Sequence, residues 1–234
     1  MALRWALSVY LIARVLASVW AAAAVSVAPI NVPYVGHPVY ETIHQAYPHH
    51  SPLFDLLLGV WFRWDTGWYI KVALQGYHPS DGSVAFAPLY PLLIRSVGGL
   101  LGGEYLLAAL LISNVALVVG LALLYKLVSL DFSESVARRT VVYLVVFPAG
   151  FFLLAGYTES LFLCFAVLAL YAARRSNWML AGVAACLASL TRLQGWALAL
   201  PLAYEAFRGN GGSPLRTWPA LLAVAGGADR YSII

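Results

Sequence analysis

Charged residues are scarce in this sequence. Of its 234 residues, only 10% are Asp, Glu, Lys or Arg, whereas 62% are hydrophobic, and the mean hydropathy is +0.80. Soluble domains carry roughly 25% charged and about 45–50% apolar residues. A chain with so little polar surface cannot cover a water-soluble fold, so the composition predicts an integral membrane protein.

Cysteine is nearly absent, and several common motifs are missing altogether. Cys164 and Cys186 lie in apolar segments and form no CxxC pair, which argues against a zinc or redox framework. The five histidines match no familiar ligand spacing, so we predict neither a metal site nor a cofactor. No Walker loop, Gly-rich dinucleotide fingerprint or GxSxG elbow occurs. The net charge of +4 is not gathered into a basic run, so no nucleic-acid partner is expected.

Long apolar segments are plentiful, and they predict an all-α membrane protein. A spanning helix needs about 20 mostly apolar residues. The candidates are residues 5–27, 105–125, 140–158, 160–173 and 176–204. The last of these forms either two short segments that meet near Arg192 or one long tilted helix.

We expect a single membrane domain, residues 1–234, with one large outer loop. The predicted order is a first transmembrane helix at 5–28, an outer loop with interfacial helices at 29–103, transmembrane helices at 104–207, and a cytoplasmic loop with an incomplete last span at 208–234. Residues 29–103 hold all five histidines, eight of the twelve prolines and twelve aromatic residues. That composition is typical of a loop folded on the membrane face.

The basic residues predict the orientation. With the N-terminus in the cytoplasm, eight basic residues fall inside and four fall outside, in agreement with the positive-inside rule. Those predicted inside are Arg4, Lys126, Arg138, Arg139, Arg174, Arg175, Arg208 and Arg216, and those outside are Arg63, Lys71, Arg95 and Arg192. The loop 29–103 and the turn 156–160 then face the lumen or periplasm, and we expect the chemistry there.

The densest cluster of chemically useful side chains surrounds Asp65. Helical spacing places Asp65 on one face with Trp68 and Tyr69. A carboxylate among aromatic rings suits a sugar, because apolar sugar faces stack on rings while the acid reaches a hydroxyl. Partial burial should raise the proton affinity of the acid, as a general base requires. The alternative is an aromatic belt at the membrane interface with one solvated acid.

Two later segments offer a second acid and a cation. Thr158 is predicted as a helix N-cap with Glu159 in the first turn, or else Tyr157 and Glu159 face the same outer cavity as Asp65. Arg192 lies at membrane depth, where an ionisable residue indicates function. Its guanidinium could hold the phosphate of a lipid carrier or pair with Glu159 as a structural ion pair.

Six short motifs follow one another along the chain. They are Trp64-Asp65 with Trp68-Tyr69; Gly76-Tyr77; Phe86, Pro88, Leu89, Tyr90 and Pro91; Phe147-Pro148 with Phe151-Phe152; Tyr157-Thr158-Glu159-Ser160-Leu161-Phe162; and Leu190-Thr191-Arg192. Their order and hydrophobic spacing resemble the PIG-V type mannosyltransferases, that is, GPI mannosyltransferase II and its prokaryotic relatives. The resemblance runs over nearly the whole chain, from about residue 5 to residue 207.

The resemblance implies a GT-C glycosyltransferase, a multi-pass helical bundle. It implies transfer of mannose from a polyprenyl (dolichyl) phosphate mannose donor to a lipid-linked glycan acceptor on the outer or lumenal face, with inversion. It places Asp65 at the catalytic centre as the base. We further expect Arg192 and Lys71 to stabilise the leaving phosphate. The full set of expected substrate-binding residues is Trp64, Trp68, Tyr69, Lys71, Tyr157, Glu159 and Arg192.

Two other functions remain open, namely a solute transporter or lipid flippase and a non-catalytic subunit bound to a membrane partner. The lipid bilayer would be the endoplasmic reticulum membrane in a eukaryote and the plasma membrane in a prokaryote. Because related enzymes continue through several more membrane helices, we expect this chain to be a member shortened at its C-terminus.

Overall fold

All the regular secondary structure in the described residues is helical. The computed structural model describes residues 1–27, 52–62, 64–210 and residue 218. Its α-helices are α1 (Ala2–Val27), α2 (Pro52–Leu57), α3 (Asp65–Gln75), α4 (Leu89–Leu100), α5 (Tyr105–Val128), α6 (Glu134–Val146), α7 (Glu159–Arg174), α8 (Trp178–Thr191) and α9 (Ala199–Asn210). Short 3₁₀ helices occupy Gly59–Trp61, Ser83–Ala85, Pro148–Leu153 and Leu193–Leu198. The predicted all-α class is confirmed.

Among the described helices, α1 and α5 are the two that are long and apolar enough to cross a membrane. The apolar side chains of α1 are largely exposed, Leu11 and Leu16 among them. Most of α5, in contrast, is buried inside the bundle. An exposed apolar helix wrapped on a buried one suits a bilayer, because lipid can cover what the protein does not.

Helix α5 is the centre of the fold. It packs against α1, α4, α6 and α7, and its Leu117 and Leu121 are fully buried. A second core joins α7, α8 and α9 and consists largely of alanine, with Ala184 and Ala188 almost completely covered. Small side chains allow helix backbones to approach closely, which is how apolar helices associate when no water drives them together.

Two predicted spans are interrupted in the structure. The prediction of one helix over 140–158 is wrong, because α6 ends at Val146 and Pro148 begins a 3₁₀ segment. Proline has no N–H to donate and clashes with a continuing helix. Residues 176–204 are also interrupted: α8 ends at Thr191 and Arg192 is extended, with φ −147° and ψ 145°. The alternative of two segments that meet near Arg192 therefore describes this part of the chain.

The bundle has two chemically different ends. At the first end, Nε1 of Trp5 donates to the carbonyl oxygen of Arg138 at 3.3 Å, which joins the start of α1 to α6. Arg174, the last residue of α7, pairs with Asp131 in the turn after α5. We call this the basic end, with Lys126, Arg138, Arg139, Arg174 and Arg175. The opposite end, where α7 begins, carries the predicted site residues and is called the site end.

Candidate active site

Asp65 is the first residue of α3, and its side chain is exposed. The predicted partial burial of this carboxylate among aromatic rings is therefore wrong. The preceding Trp64 has a φ of 41° and is 70% exposed. A bulky residue at positive φ costs about 1–3 kcal/mol and is commonest where the backbone serves a function. This turn holds the Asp65 carboxylate at the accessible start of the helix.

The start of α7 is brought against the start of α3. A Cβ atom at Gly156 would lie 3.1 Å from Cγ2 of the buried Thr66, so only glycine allows this approach without a shift. The backbone amide of Asp65 hydrogen-bonds the hydroxyl of Tyr157. The prediction that Tyr157 faces the Asp65 region is therefore supported by a direct contact.

A polar chain inside the bundle fixes the turn that carries Tyr157. The hydroxyl of Ser113, on α5, donates to the carbonyl oxygen of Tyr157 at 2.7 Å. Tyr90 of α4 bonds to the same serine hydroxyl at 2.7 Å and lies 2.9 Å from the carbonyl oxygen of Ala109. All four of these residues are buried, and an unsatisfied polar group in such a place would cost roughly 1–3 kcal/mol. These hydrogen bonds from inside the bundle therefore fix the position of the turn.

Arg192 lies directly after the end of α8 and completes the candidate site. Its Nη1 lies 2.6 Å from Oε1 of Glu159 and donates to Oγ1 of Thr158 at 3.0 Å. The predicted alternative of an Arg192–Glu159 ion pair is thus present. Gly195 permits the sharp return after Arg192, since a Cβ there would lie 2.4 Å from Cα of Ser189.

Thr158 connects Arg192 to α3 and does not cap α7 through its side chain. It occupies the N-cap position, but its hydroxyl makes no capping hydrogen bond. It accepts from Arg192 instead and shares a 3.1 Å hydrogen bond with the hydroxyl of Tyr69. Burial raises the pKa of Tyr69 to about 12, so this hydroxyl keeps its proton at neutral pH. The predicted positions, Thr158 at the N-cap and Glu159 in the first turn, are confirmed, whereas the capping hydrogen bond expected from the Thr158 side chain is not made.

The aromatic residues of α3 lie against the segment 86–91. The Trp68 ring stacks on Phe86 with centroids 5.5 Å apart and planes 16° apart. Tyr69 meets Phe86 and Tyr90 edge-on, at 5.1 and 5.0 Å. The same segment leads into α4, with Pro88 at the N-cap position. The segment therefore turns the chain into α4 and packs against the aromatic side chains of α3.

Lys71 is directed to a different partner. Its ammonium is buried and forms an ion pair with Asp81, which also accepts from the backbone amide of Ser83 at 2.8 Å. The hydrogen bond from Lys71 holds the pKa of Asp81 well below its usual range. Lys71 therefore anchors the loop after α3 and is not gathered with Asp65, Glu159 and Arg192.

Two unsatisfied oxygen atoms escaped sequence reasoning. Oγ1 of Thr66 and Oε2 of Glu159 are shielded from solvent and have no hydrogen-bond partner in the described part of the chain. Buried polar atoms of this kind are rare in native folds and indicate an unmet partner. The only sequence signal for Thr66 was its place beside Asp65. Among the described residues, no group of three His, Cys, Asp or Glu could hold a metal ion.

Arg14, in the middle of α1, has a structural role. Its Nη1 donates to the carbonyl oxygen of Leu154 at 2.8 Å, and its guanidinium lies 4.4 Å from the ring centroid of Trp61. The contact satisfies a backbone carbonyl at the end of the 3₁₀ segment and joins α1 to the 58–62 turn. Arg14 thus supports the site end without reaching the carboxylates.

Comparison with known proteins identifies the family. The sequence model of the Dolichyl-phosphate-mannose-protein mannosyltransferase family matches residues 81–227, more than half of the chain. The chain belongs to this family. The match includes Glu159 and Arg192 and begins after Asp65. Membership in this mannosyltransferase family agrees with the resemblance to mannosyltransferases that the motifs carry.

The chain is also similar to two curated fungal proteins. It is 28% identical over 145 residues to GPI mannosyltransferase 2 of Yarrowia lipolytica, which covers 61% of this chain and 39% of that protein. It is 29% identical over 150 residues to GPI mannosyltransferase 2 of Schizosaccharomyces pombe, which covers 62% of this chain and 32% of that protein. The predicted resemblance is confirmed, and the chain spans 39% and 32% of the length of these two relatives. No solved structure matches.

Proposed function

We propose that this chain is a membrane mannosyltransferase. It would transfer mannose from a polyprenyl (dolichyl) phosphate mannose donor to a lipid-linked glycan acceptor, with inversion at the anomeric carbon. The observation that carries the proposal is the meeting of Asp65, Tyr157, Glu159 and Arg192 at one end of a mannosyltransferase-family bundle. Two acids, a guanidinium and exposed aromatic surface are the groups that a sugar phosphate requires.

Asp65 serves as the general base in this proposal. The acceptor hydroxyl oxygen forms a bond to the anomeric carbon, and its proton passes to the Asp65 carboxylate. The bond between that carbon and the phosphate oxygen breaks, and polyprenyl phosphate leaves. The exposure of Asp65 supports this role, because a base must reach the substrate proton. The exposed ring of Trp64 offers an apolar sugar face a surface beside it.

Arg192 binds the departing phosphate. Both of its described contacts use Nη1, and a guanidinium carries five N–H donors, so the other nitrogens can meet phosphate oxygens. Developing negative charge is stabilised best by a cation that is already positioned. Glu159 and Thr158 provide that positioning, and Oε2 of Glu159 can accept a hydrogen bond from a sugar hydroxyl.

The remaining predicted site residues act in different ways. Tyr69 and Tyr157 are buried, and they hold Thr158 and the Asp65 backbone in place. Trp68 is half-buried against Phe86, and the exposed part of its ring can contact the substrate. Lys71 anchors the loop through Asp81, so we assign the phosphate to Arg192 alone.

We also propose a multi-pass topology with the site end outside. The basic end would lie in the cytoplasm, in agreement with the positive-inside rule, and the site end in the lumen or periplasm. The membrane would be the endoplasmic reticulum membrane in a eukaryote and the plasma membrane in a prokaryote. Residues 29–51 and 63 of the predicted outer loop and residues 211–217 and 219–234 of the last predicted segment lie outside the described residues. The predicted sides of Arg63 and Arg216 fall on these residues.

The test is sugar transfer by membranes that contain this chain. With a polyprenyl phosphate mannose donor, Asp65→Asn should lower the transfer rate by roughly 10²–10⁴-fold, because the amide cannot accept the proton. The matched control is Glu205→Gln, the same change at the basic end, where the nearest cation is 3.8 Å away. It should retain the activity.

Each outcome of this assay has a distinct meaning. A fully active Asp65→Asn variant with wild-type thermal stability would refute the role of Asp65 as base. Transfer that appears only when a second membrane protein is co-expressed would favour the subunit alternative. Sugar uptake into sealed vesicles without transfer would favour a transporter.

A further inference from the structure

A second region of the molecule has the shape and charge of a binding site. At the basic end, far from Asp65, an open groove of about 470 Å³ lies between the first turns of α1 and α6. Its lining includes Trp5, Glu134, Ser135, Arg138, Arg139 and Tyr143. We propose that this groove binds the phosphate of an anionic phospholipid headgroup. The inference does not depend on the sugar-transfer activity.

Arg138 has a fixed position in the wall of the groove and N–H groups that can still donate to a ligand. Its guanidinium lies 5.6 Å from the ring centroid of Trp5, and the indole N–H donates to its backbone carbonyl. Its described side-chain hydrogen bonds use Nη2, which donates to Sδ of Met1 at 3.3 Å and to Oε2 of Glu134 at 3.4 Å. The guanidinium carries further N–H groups, so Nη1 can meet a phosphate oxygen.

Arg139 supplies the second cation. It is exposed, and its side chain is directed by Ser135, whose hydroxyl accepts from Nη2 at 2.8 Å and whose carbonyl accepts from Nε at 3.4 Å. Two guanidinium groups on adjacent residues line one groove. Planar guanidinium forks match the oxygens of a phosphate, which is why arginine is favoured at phosphate sites.

The surface next to the groove suits lipid tails rather than a free ion. On α6, Tyr143 and Val146 follow Arg139 at the i+4 and i+7 positions and are 64% and 66% exposed. Helical spacing therefore places an exposed apolar stripe directly beyond the cation. A headgroup phosphate on the arginines would leave its acyl chains lying along this stripe. For that reason we commit to a phospholipid as the occupant.

Glu134 is the one carboxylate in the lining, and it competes for Arg138. The two groups are 3.4 Å apart, which is longer than the roughly 2.7–2.9 Å of a strong charge-assisted hydrogen bond. Both side chains are substantially exposed, so the pair is weak. A headgroup phosphate can displace Glu134, and removal of its charge should favour the lipid.

The experiment measures lipid binding by native mass spectrometry of the full chain in detergent. The probes are phosphatidylglycerol, phosphatidylcholine and inorganic phosphate. We expect phosphatidylglycerol to bind more tightly than phosphatidylcholine, and the double variant Arg138→Gln/Arg139→Gln to weaken it on the order of tenfold or more. Glu134→Gln should strengthen binding severalfold. The matched control is Arg175→Gln, which removes one exposed charge at the same end but outside the groove.

The result that would overturn the proposal is equally specific. Equal loss in Arg175→Gln would show general charge attraction and no site, and equal affinity for both phospholipids would rule out recognition of an anionic headgroup. Competition by inorganic phosphate at the lipid's own concentration would assign the groove to free phosphate. The exposed Arg139→Gln variant is the second reagent should the double variant fail to fold, and it should weaken binding severalfold.

Discussion

The two ends of α7 each carry an arginine–carboxylate pair, and the pairs are built differently. At the basic end, Nη1 of Arg174 donates to Oδ2 of Asp131 at 2.7 Å, and Nη2 donates to Oδ1 at 2.6 Å. Both oxygens of this carboxylate therefore accept a hydrogen bond. At the site end, Arg192 reaches Glu159 through one nitrogen and one oxygen, and Oε2 of Glu159 has no partner in the described chain.

The difference concerns the carboxylate oxygen atoms that are left without a partner. The bidentate pair engages both oxygens of Asp131 and joins the turn after α5 to the end of α7. A single contact that leaves an oxygen and further N–H groups unused keeps capacity for a ligand. The arginine–aspartate pair at the basic end therefore stabilises the bundle, whereas the arginine–glutamate pair at the site end is the one that the proposed function assigns to ligand binding.

The strongest test of this comparison exchanges the two arginines for glutamine separately. Arg192→Gln should lower kcat for sugar transfer roughly 10²–10³-fold, because the preorganised charge at the leaving phosphate is lost. Arg174→Gln should lower thermal stability and leave kcat close to wild type. Steady-state kinetics and thermal unfolding in detergent measure the two effects. Equal losses of activity in both variants would contradict the division of roles.

A smaller effect should follow from the support behind Arg192. Tyr69→Phe removes the hydroxyl that bonds Thr158 and leaves the ring packed on Phe86 and Tyr90. One buried hydrogen bond is worth about 1 kcal/mol, so we expect a Tm lower by roughly 2–4 °C. Activity should fall a few-fold, mainly in kcat, because Thr158 positions Arg192 for the leaving phosphate. An unchanged kcat would show that Thr158 does not position Arg192.

The smallest effect concerns pH at the basic end. The hydrogen bonds from Arg174 hold the pKa of Asp131 below its usual range. A lowered pKa means that the pair stabilises the fold above the unfolded value of about 3.9, and that this contribution is lost as the pH falls through the folded pKa. The Tm difference between wild type and Asp131→Asn should therefore shrink below about pH 3.9. A difference that persists in acid would point to packing instead.

Much of the helical framework follows from the sequence, because apolar length is a direct signal. The span predicted at 105–125 corresponds to α5, and the break at Arg192 follows from one charge in an apolar segment. The span predicted over 140–158 failed at Pro148, where local chemistry overrides hydropathy. Hydropathy counts apolar atoms and does not register a missing backbone donor.

The sequence indicates which residues lie near one another at the candidate site better than it indicates their geometry. Asp65, Tyr157 and the Glu159–Arg192 pair share one end because alternation of spans places them there. Lys71 was assigned to the same site, but its partner is Asp81, which lies ten residues later on a loop that returns to α3. The spacing of residues along the sequence does not show where a loop folds back onto a helix. The unsatisfied hydroxyl of Thr66 likewise depends on the approach of Gly156, a contact distant in sequence.

The break after α8 has a consequence for biogenesis. Arg192 is among the last described contributors to the site in chain order, whereas Asp65, Tyr157 and Glu159 are all synthesised earlier. In the proposed topology, Glu159 would be inserted before the cation that pairs with it, since Arg192 follows it in the chain. A nascent chain that stops between these two residues would therefore carry an uncompensated acid at the site end.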